Sequence, residues 1–224
     1  MIPLRDENPI RIVPVVNWGL IGACVVIFVF QVALGAEVFN RMIFGLGVIP
    51  AVLLGHARLP PEIELVPPAV SVVSSMFLHG GWLHLAGNML YLWIFGDNIE
   101  ERMGHLRFLF FYLACGIAAV LAQALPAPES IVPMVGASGA ISGVLGAYLL
   151  LFPHARVLVL VPLGFVLQVI RLPAVWVLGL WFLIQLLSSL AAPEGEGGVA
   201  FRAHLGGFIA GLLLVPLFLL GRRR

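Results

Sequence analysis

Long apolar runs alternate with short polar stretches along the chain, and most of the runs are as long as a bilayer is thick. A hydrocarbon core of roughly 30 Å takes about 20 helical residues to cross. On that measure, runs at about 17–35, 82–103, 106–125, 136–152, 173–190 and 201–220 predict six membrane-spanning helices. Two further apolar pieces do not qualify. Residues 38–54 are interrupted by Asn40, Arg41, Gly45, Gly47 and Pro50, which suits an interfacial segment better than a span. Residues 157–170 are broken by Pro162 and Gly164, and their short uninterrupted length reads as a re-entrant or interfacial piece. Residues 1–16 carry Pro3, Pro9 and Pro14 and predict a short non-helical arm. Residues 36–80 hold five prolines and form a long connection of the kind that is often functional.

Composition points the same way. The chain has 224 residues, of which 61% are hydrophobic and 10% charged; a soluble domain carries about 25% charged residues. Mean hydropathy is +1.09. The net charge of +1 gives no bulk attraction to nucleic acid. Cys24 and Cys115 sit inside apolar runs and read as buried small hydrophobes, with no zinc-type spacing. No cofactor is expected.

The arginines orient the spans. Cytoplasmic flanks collect basic residues. Six spans put both termini inside, and the inner segments then hold nine of the twelve arginines: Arg5, Arg11, Arg102, Arg107, Arg156, Arg171 and Arg222 to Arg224. The outer loops keep Arg41, Arg58 and Arg202. A seventh span at 157–170 would place the terminal arginines outside, against the rule. With six, the segments starting at 82, 136 and 201 all enter from the outer side, which brings their polar residues to one depth.

Those residues are the candidate chemistry. Ser138 lies in Gly136-Ala137-Ser138-Gly139, with Gly143 one helical turn beyond Gly139. Such a serine can cap a helix, pack it, or act as a nucleophile, and Gly139 with Gly143 makes a small-residue packing face. Ala140 stands where a strict G-x-S-x-G elbow would have its last glycine. His204 shares a helix face with Gly207 and Gly211. Ionisable residues within spans are rare and usually functional, although a histidine near an interface also serves as a polar anchor. His84 and Asn88 are one turn apart, and a neutral amide donor suits an oxyanion hole. His79 precedes the span and reads as a loop-ordering group. Metal binding by His79, His84 and His204 is the rival reading; no H-E-x-x-H pattern or carboxylate at ligand spacing supports it. Taken together, a serine, a histidine able to activate it and donors from a third helix form a nucleophilic site. No acidic residue lies at that depth, so a dyad is implied.

The motifs His79-Gly80-Gly81-Trp82-Leu83-His84-Leu85-Ala86-Gly87-Asn88, Glu100-Glu101-Arg102-Met103-Gly104, Gly136-Ala137-Ser138-Gly139 and Ala203-His204-Leu205-Gly206-Gly207 come in an order that resembles the rhomboid family of intramembrane serine proteases. The resemblance implies an all-α polytopic fold, a six-helix bundle with both termini cytoplasmic. It divides the chain into a cytoplasmic arm (1–16), a protease domain (17–221) with an outer membrane-associated loop at 36–80, and a basic cytoplasmic tail (222–224). It makes Ser138 the nucleophile and His204 the general base, with Asn88, His84 and the Ser138 amide as oxyanion donors and Gly136, Gly139, Gly143, Gly207 and His79 as structural neighbours. It pairs Glu100 with Arg102, and it makes the fifth span and the 193–200 loop a gate and cap. In some members an aromatic residue one turn after the nucleophile stacks on the histidine. Here that position is Ser142, so something else must hold His204.

The expected function is serine endopeptidase cleavage of transmembrane protein substrates in or near their membrane segment. The bilayer is an obligate partner, nucleic acid is not, and the oligomeric state is open. The expected site is the plasma (inner) membrane, with the active centre open to the outer side. An inactive rhomboid-like client binder is the alternative; such proteins lose the serine or the histidine, and both are present here. A small transporter would show internal repeats, and none is visible. A topology reporter fused after Arg224 is expected to read as internal; an external signal would contradict the six-span count.

Overall fold

The computed structural model describes residues 1–164, 166–191 and 199–221. Glu194, Glu196, most of the 193–200 loop and the Arg222 to Arg224 tail lie outside the described residues. In chain order the elements are β1 (Ile2–Asp6), α1 (Val15–Ala33), α2 (Gly35–Leu46), α3 (Pro50–Leu53), α4 (Pro68–Ser74) with a 3-10 turn at Ser75–Phe77, α5 (Trp82–Met103), α6 (His105–Ala124), α7 (Ser138–Leu151), β2 (Arg156–Leu163), β3 (Val166–Pro173), α8 (Ala174–Ala191) and α9 (Phe201–Leu219).

The chain is mostly helical. Helices α1, α6, α8 and α9 are each long and apolar enough to cross a membrane. A fifth candidate is α4 with its 3-10 turn joined to α5, a pair bent by 81°. The remaining expected span, the fourth in chain order, corresponds to α7, which has only 14 residues. At about 1.5 Å per residue it is roughly 21 Å long, short of the hydrocarbon thickness. Gly139 through Tyr148 are all buried, so neighbouring helices surround α7 along most of its length.

Two expectations need correction. The fold is not all-α: β1, β2 and β3 form an antiparallel sheet in that order. The 157–170 piece is a hairpin, running in register from Arg156↔Pro173 to Leu163↔Val166, and β1 of the arm pairs with its outer edge from Ile2↔Leu160 to Asp6↔Val157. Val157 and Val159 are buried against the bundle, which is the period-2 burial of a strand. Pro162 is tolerated because β1 stops pairing at Leu160, leaving the proline on a free edge. The 36–80 connection likewise has structure of its own in α2, α3 and α4.

The second correction concerns Glu100, which is fully buried. Its carboxylate accepts the backbone N–H groups of Val16 (3.0 Å) and Asn17 (2.7 Å) and pairs with His105, not Arg102. First-turn amides have no partner within their own helix, and a negative charge is favourable at that helix end. Glu100 therefore ties the end of α5 to the start of α1. The same end of the bundle gathers Arg11 N–H on Glu101 (2.7 Å), Asn98 on the Asn8 carbonyl (2.8 Å), the Tyr148 hydroxyl on Asp6 and Arg171 on Glu7 (2.9 Å). Burial pushes the Asp6 carboxyl above its ordinary value, and the Tyr148 hydrogen bond partly offsets that.

Helices α7 and α9 meet backbone to backbone. A Cβ placed on Gly207 would lie 2.0 Å from the Gly139 carbonyl oxygen, and one on Gly211 2.0 Å from the Gly143 carbonyl oxygen. No side chain fits there, so this helix pair requires glycine at both positions. Gly211→Ala is expected to destabilise by about 1–3 kcal/mol, the cost of overpacking a core, seen as a lowered Tm in detergent. Gly179→Ala, where a Cβ meets nothing within 4 Å, is expected to leave Tm unchanged or slightly raised. Equal stability of the two variants would contradict the close approach.

Candidate active site

Ser138 is the first residue of α7, and His204 lies in the first turn of α9. The approach of those helices sets His204 Nε2 2.8 Å from Ser138 Oγ. Helix α9 is fixed at this end by α6, where Gln123 Oε1 accepts the Ala203 N–H (3.2 Å). His204 and Ala203 are both buried. Because Ser138 opens its helix, the amides of Ser138, Gly139 and Ala140 have no helical carbonyl to meet; the first bond of this turn is Ile141 N–H to the Ala137 carbonyl (2.9 Å). These amides carry the positive end of the α7 dipole.

The third element is α5. His84 and Asn88, one turn apart, both face Gly136: a Cβ there would lie 2.7 Å from the His84 ring and 3.5 Å from Asn88 Nδ2. Gly136 also has φ +122°, a conformation that side-chain-bearing residues rarely adopt. Both constraints make glycine necessary beside the serine. The Gly80 N–H donates to His84 Nδ1 (3.4 Å), which leaves the His84 Nε2 hydrogen available as a donor. Asn88 Nδ2 is buried and has no hydrogen-bond partner among the described residues. A donor left unpaired in this way costs free energy, and it is available to a ligand atom. His79 is buried behind His84, with ring centroids 5.1 Å apart, and its backbone N–H reaches Gln31 Oε1 (3.4 Å).

One cavity of about 740 Å³ is lined by His84, Asn88, Ser138, Trp181 and His204. Polar groups within a bilayer are tolerated around such a water-accessible space.

The structure also supplies what Ser142 leaves missing. The Ser142 hydroxyl donates to the Ser138 carbonyl (2.6 Å). His204 is contacted instead from α8, where Gln185 Oε1 lies 2.7 Å from Nδ1 and the Trp181 ring sits 5.9 Å away at 36°. Sequence reasoning missed Gln185. The available signal was a lone amide in an apolar helix, four residues after Trp181 and hence on the same face.

The Rhomboid domain family model matches residues 68–221, well over half of the chain. The chain is 33% identical over 159 residues to Rhomboid protein 1, mitochondrial, of Saccharomyces cerevisiae, covering 67% of this chain and 42% of that protein. It is 36% identical over 147 residues to Rhomboid-like protease 5 of Toxoplasma gondii, covering 63% and 15%. It is 45% identical over 78 residues to Rhomboid protease GluP of Bacillus subtilis, covering 35% and 15%. The chain thus spans less than half the length of each of these relatives. Four to five candidate spans, the four motifs in order and this match over two thirds of the sequence lead to one conclusion: the chain is an integral membrane protein that belongs to the rhomboid family.

Proposed function

We propose that the protein is an intramembrane serine endopeptidase that cleaves transmembrane proteins in or beside their membrane segment. The observation that carries this reading is the Ser138 Oγ to His204 Nε2 distance of 2.8 Å, within reach for proton transfer. In the first half-reaction Ser138 Oγ attacks the scissile carbonyl while Nε2 takes the hydroxyl proton. The carbonyl oxygen becomes an oxyanion. The first-turn amides of α7, the Asn88 amide and His84 Nε2–H are its donors, and such donors lower the barrier because they are already oriented. The imidazolium then protonates the leaving amine, and an acyl-enzyme remains on Ser138. In the second half-reaction water adds to the ester with His204 again as base, and the acid product leaves.

A transmembrane helix hides its carbonyls in its own hydrogen bonds, so the substrate must unwind locally. Small or helix-breaking residues at the cleavage site favour that. We assign the polar, sheet-bearing end of the bundle to the cytoplasmic side, with residues 1–16 as the arm and 222–224 as the tail, and the cavity to the outer side. In this arrangement α7 is a shortened crossing, the fourth in chain order, enclosed by its neighbours. The plasma membrane is the compartment we propose.

Reconstituted with a membrane-anchored substrate, Ser138→Ala and His204→Ala are each expected to lower kcat by on the order of 10⁴-fold or more. Asn88→Ala is expected to cost on the order of 10²-fold, mostly in kcat, as loss of one oxyanion donor does. Undiminished cleavage by Ser138→Ala would overturn the assignment.

A further inference from the structure

We propose that Gln185 is the positioning residue of this site: it fixes the tautomer and orientation of His204 from α8, in the role that a carboxylate fills in a triad. The proposal rests on the protease reading above and adds a third member to it.

The neutral imidazole has one N–H and one acceptor nitrogen. For His204 to take a proton from Ser138, Nε2 must be the acceptor and Nδ1 must carry the hydrogen. Gln185 Oε1, 2.7 Å from Nδ1, accepts that hydrogen and stabilises the competent tautomer. The opposite tautomer would put the Nε2 hydrogen against the Ser138 hydroxyl and leave Nδ1 facing an acceptor. Trp181, one turn before Gln185, covers the ring at 5.9 Å and limits its rotation. The two residues together provide what an aromatic at position 142 would otherwise give, while Ser142 is engaged with the Ser138 carbonyl. An amide also suits the setting better than a carboxylate. It orients the ring without placing a second charge in a low-dielectric site.

The placement on α8 has a consequence. The buried residues of this helix, Ala174, Val177 and Leu178, all lie in its first turns, next to the sheet. From Trp181 onward it is half-buried or exposed. Among the described residues, the half that carries Gln185 meets α9 through the rings of Trp181 and Phe182 on Phe208 and through the bond to His204 itself. Any displacement of that half removes the acceptor from Nδ1, so the base is competent only when α8 is seated. Gln185 couples the position of a loosely packed helix to the state of the catalytic histidine.

The tautomer is read directly from the ¹⁵N chemical shifts of the full-length protein labelled at histidine in detergent, with His204 assigned by its loss in His204→Ala. The wild type is expected to show Nδ1–H, and Gln185→Leu a mixture of tautomers. In the cleavage assay Gln185→Leu is expected to lower kcat roughly 10–100-fold, less than the loss caused by a wrong-tautomer substitution in a serine triad, with KM within about twofold and Tm unchanged. Gln185→Glu, which keeps the acceptor, is expected to recover kcat to within about fivefold at pH 8, and Leu187→Ala on the exposed face of α8 to match the wild type. An Nε2–H tautomer in the wild type overturns the proposal, as does an unchanged kcat in Gln185→Leu. If Gln185→Leu does not fold, the wild-type tautomer decides. Cleavage surviving in Ser138→Ala would sink the protease reading alone, because the tautomer measurement does not depend on activity.

Discussion

The contact on which the rest depends is the seating of α7 against α9 with no side chains between them. Gly207 and Gly211 face the carbonyls of Gly139 and Gly143. Within a bilayer, lipid tails are as apolar as leucine, so helices gain little from hiding apolar surface from one another. Close packing and small residues decide which helices meet. Here that packing also sets the register of the two helices. Ser138 and His204 stand at the same ends of α7 and α9, so glycine contacts within about two turns of them set a hydrogen bond of 2.8 Å. A sub-ångström error in the approach would alter the geometry of the proton transfer we propose, and buried helices hold that approach more closely than loops would.

Stability and chemistry occupy opposite ends of the bundle. One end is tied by charged and polar bonds: Glu100 on the α1 amides, the arm strand β1 on the hairpin, and Tyr148 on Asp6. These satisfy backbone groups and link elements far apart in sequence. The other end holds donors with no partner among the described residues, notably Asn88 Nδ2 and the first amides of α7. Unpaired buried donors are costly in a structural role and useful in one that must bind a developing negative charge. The α7 helix connects the two ends, with Ser138 at its start and Tyr148 near its close.

Much of this was legible in the sequence, because apolar run length reports bilayer crossing directly. The runs beginning at 17, 82, 106, 136, 173 and 201 all lie within two residues of the helices formed. Run length rightly excludes a span at 157–170 but does not reveal the strands that form there. Residues 157–170 are apolar enough for an interfacial piece, but valines at 157, 159 and 161 alternate with a strand's period. Pairing of that hairpin with residues 2–6 is a contact between distant segments, for which no local pattern exists. Glu100 was misassigned because a neighbouring arginine in a motif suggests a partner, whereas the real partners are main-chain amides more than eighty residues earlier. Ser138, His204, His84 and Asn88 were singled out from motif and depth, while Gln185 lay in an apolar helix with no motif around it.

The central claim is that Ser138 is made nucleophilic by His204. Mass-spectrometric mapping after treatment of the membrane-reconstituted protein with a serine-reactive phosphonate tests it most directly. The account predicts a single adduct on the peptide containing Ser138, lost in His204→Ala. Absence of any adduct in the wild type, or an adduct on Ser138 that persists undiminished in His204→Ala, would contradict it.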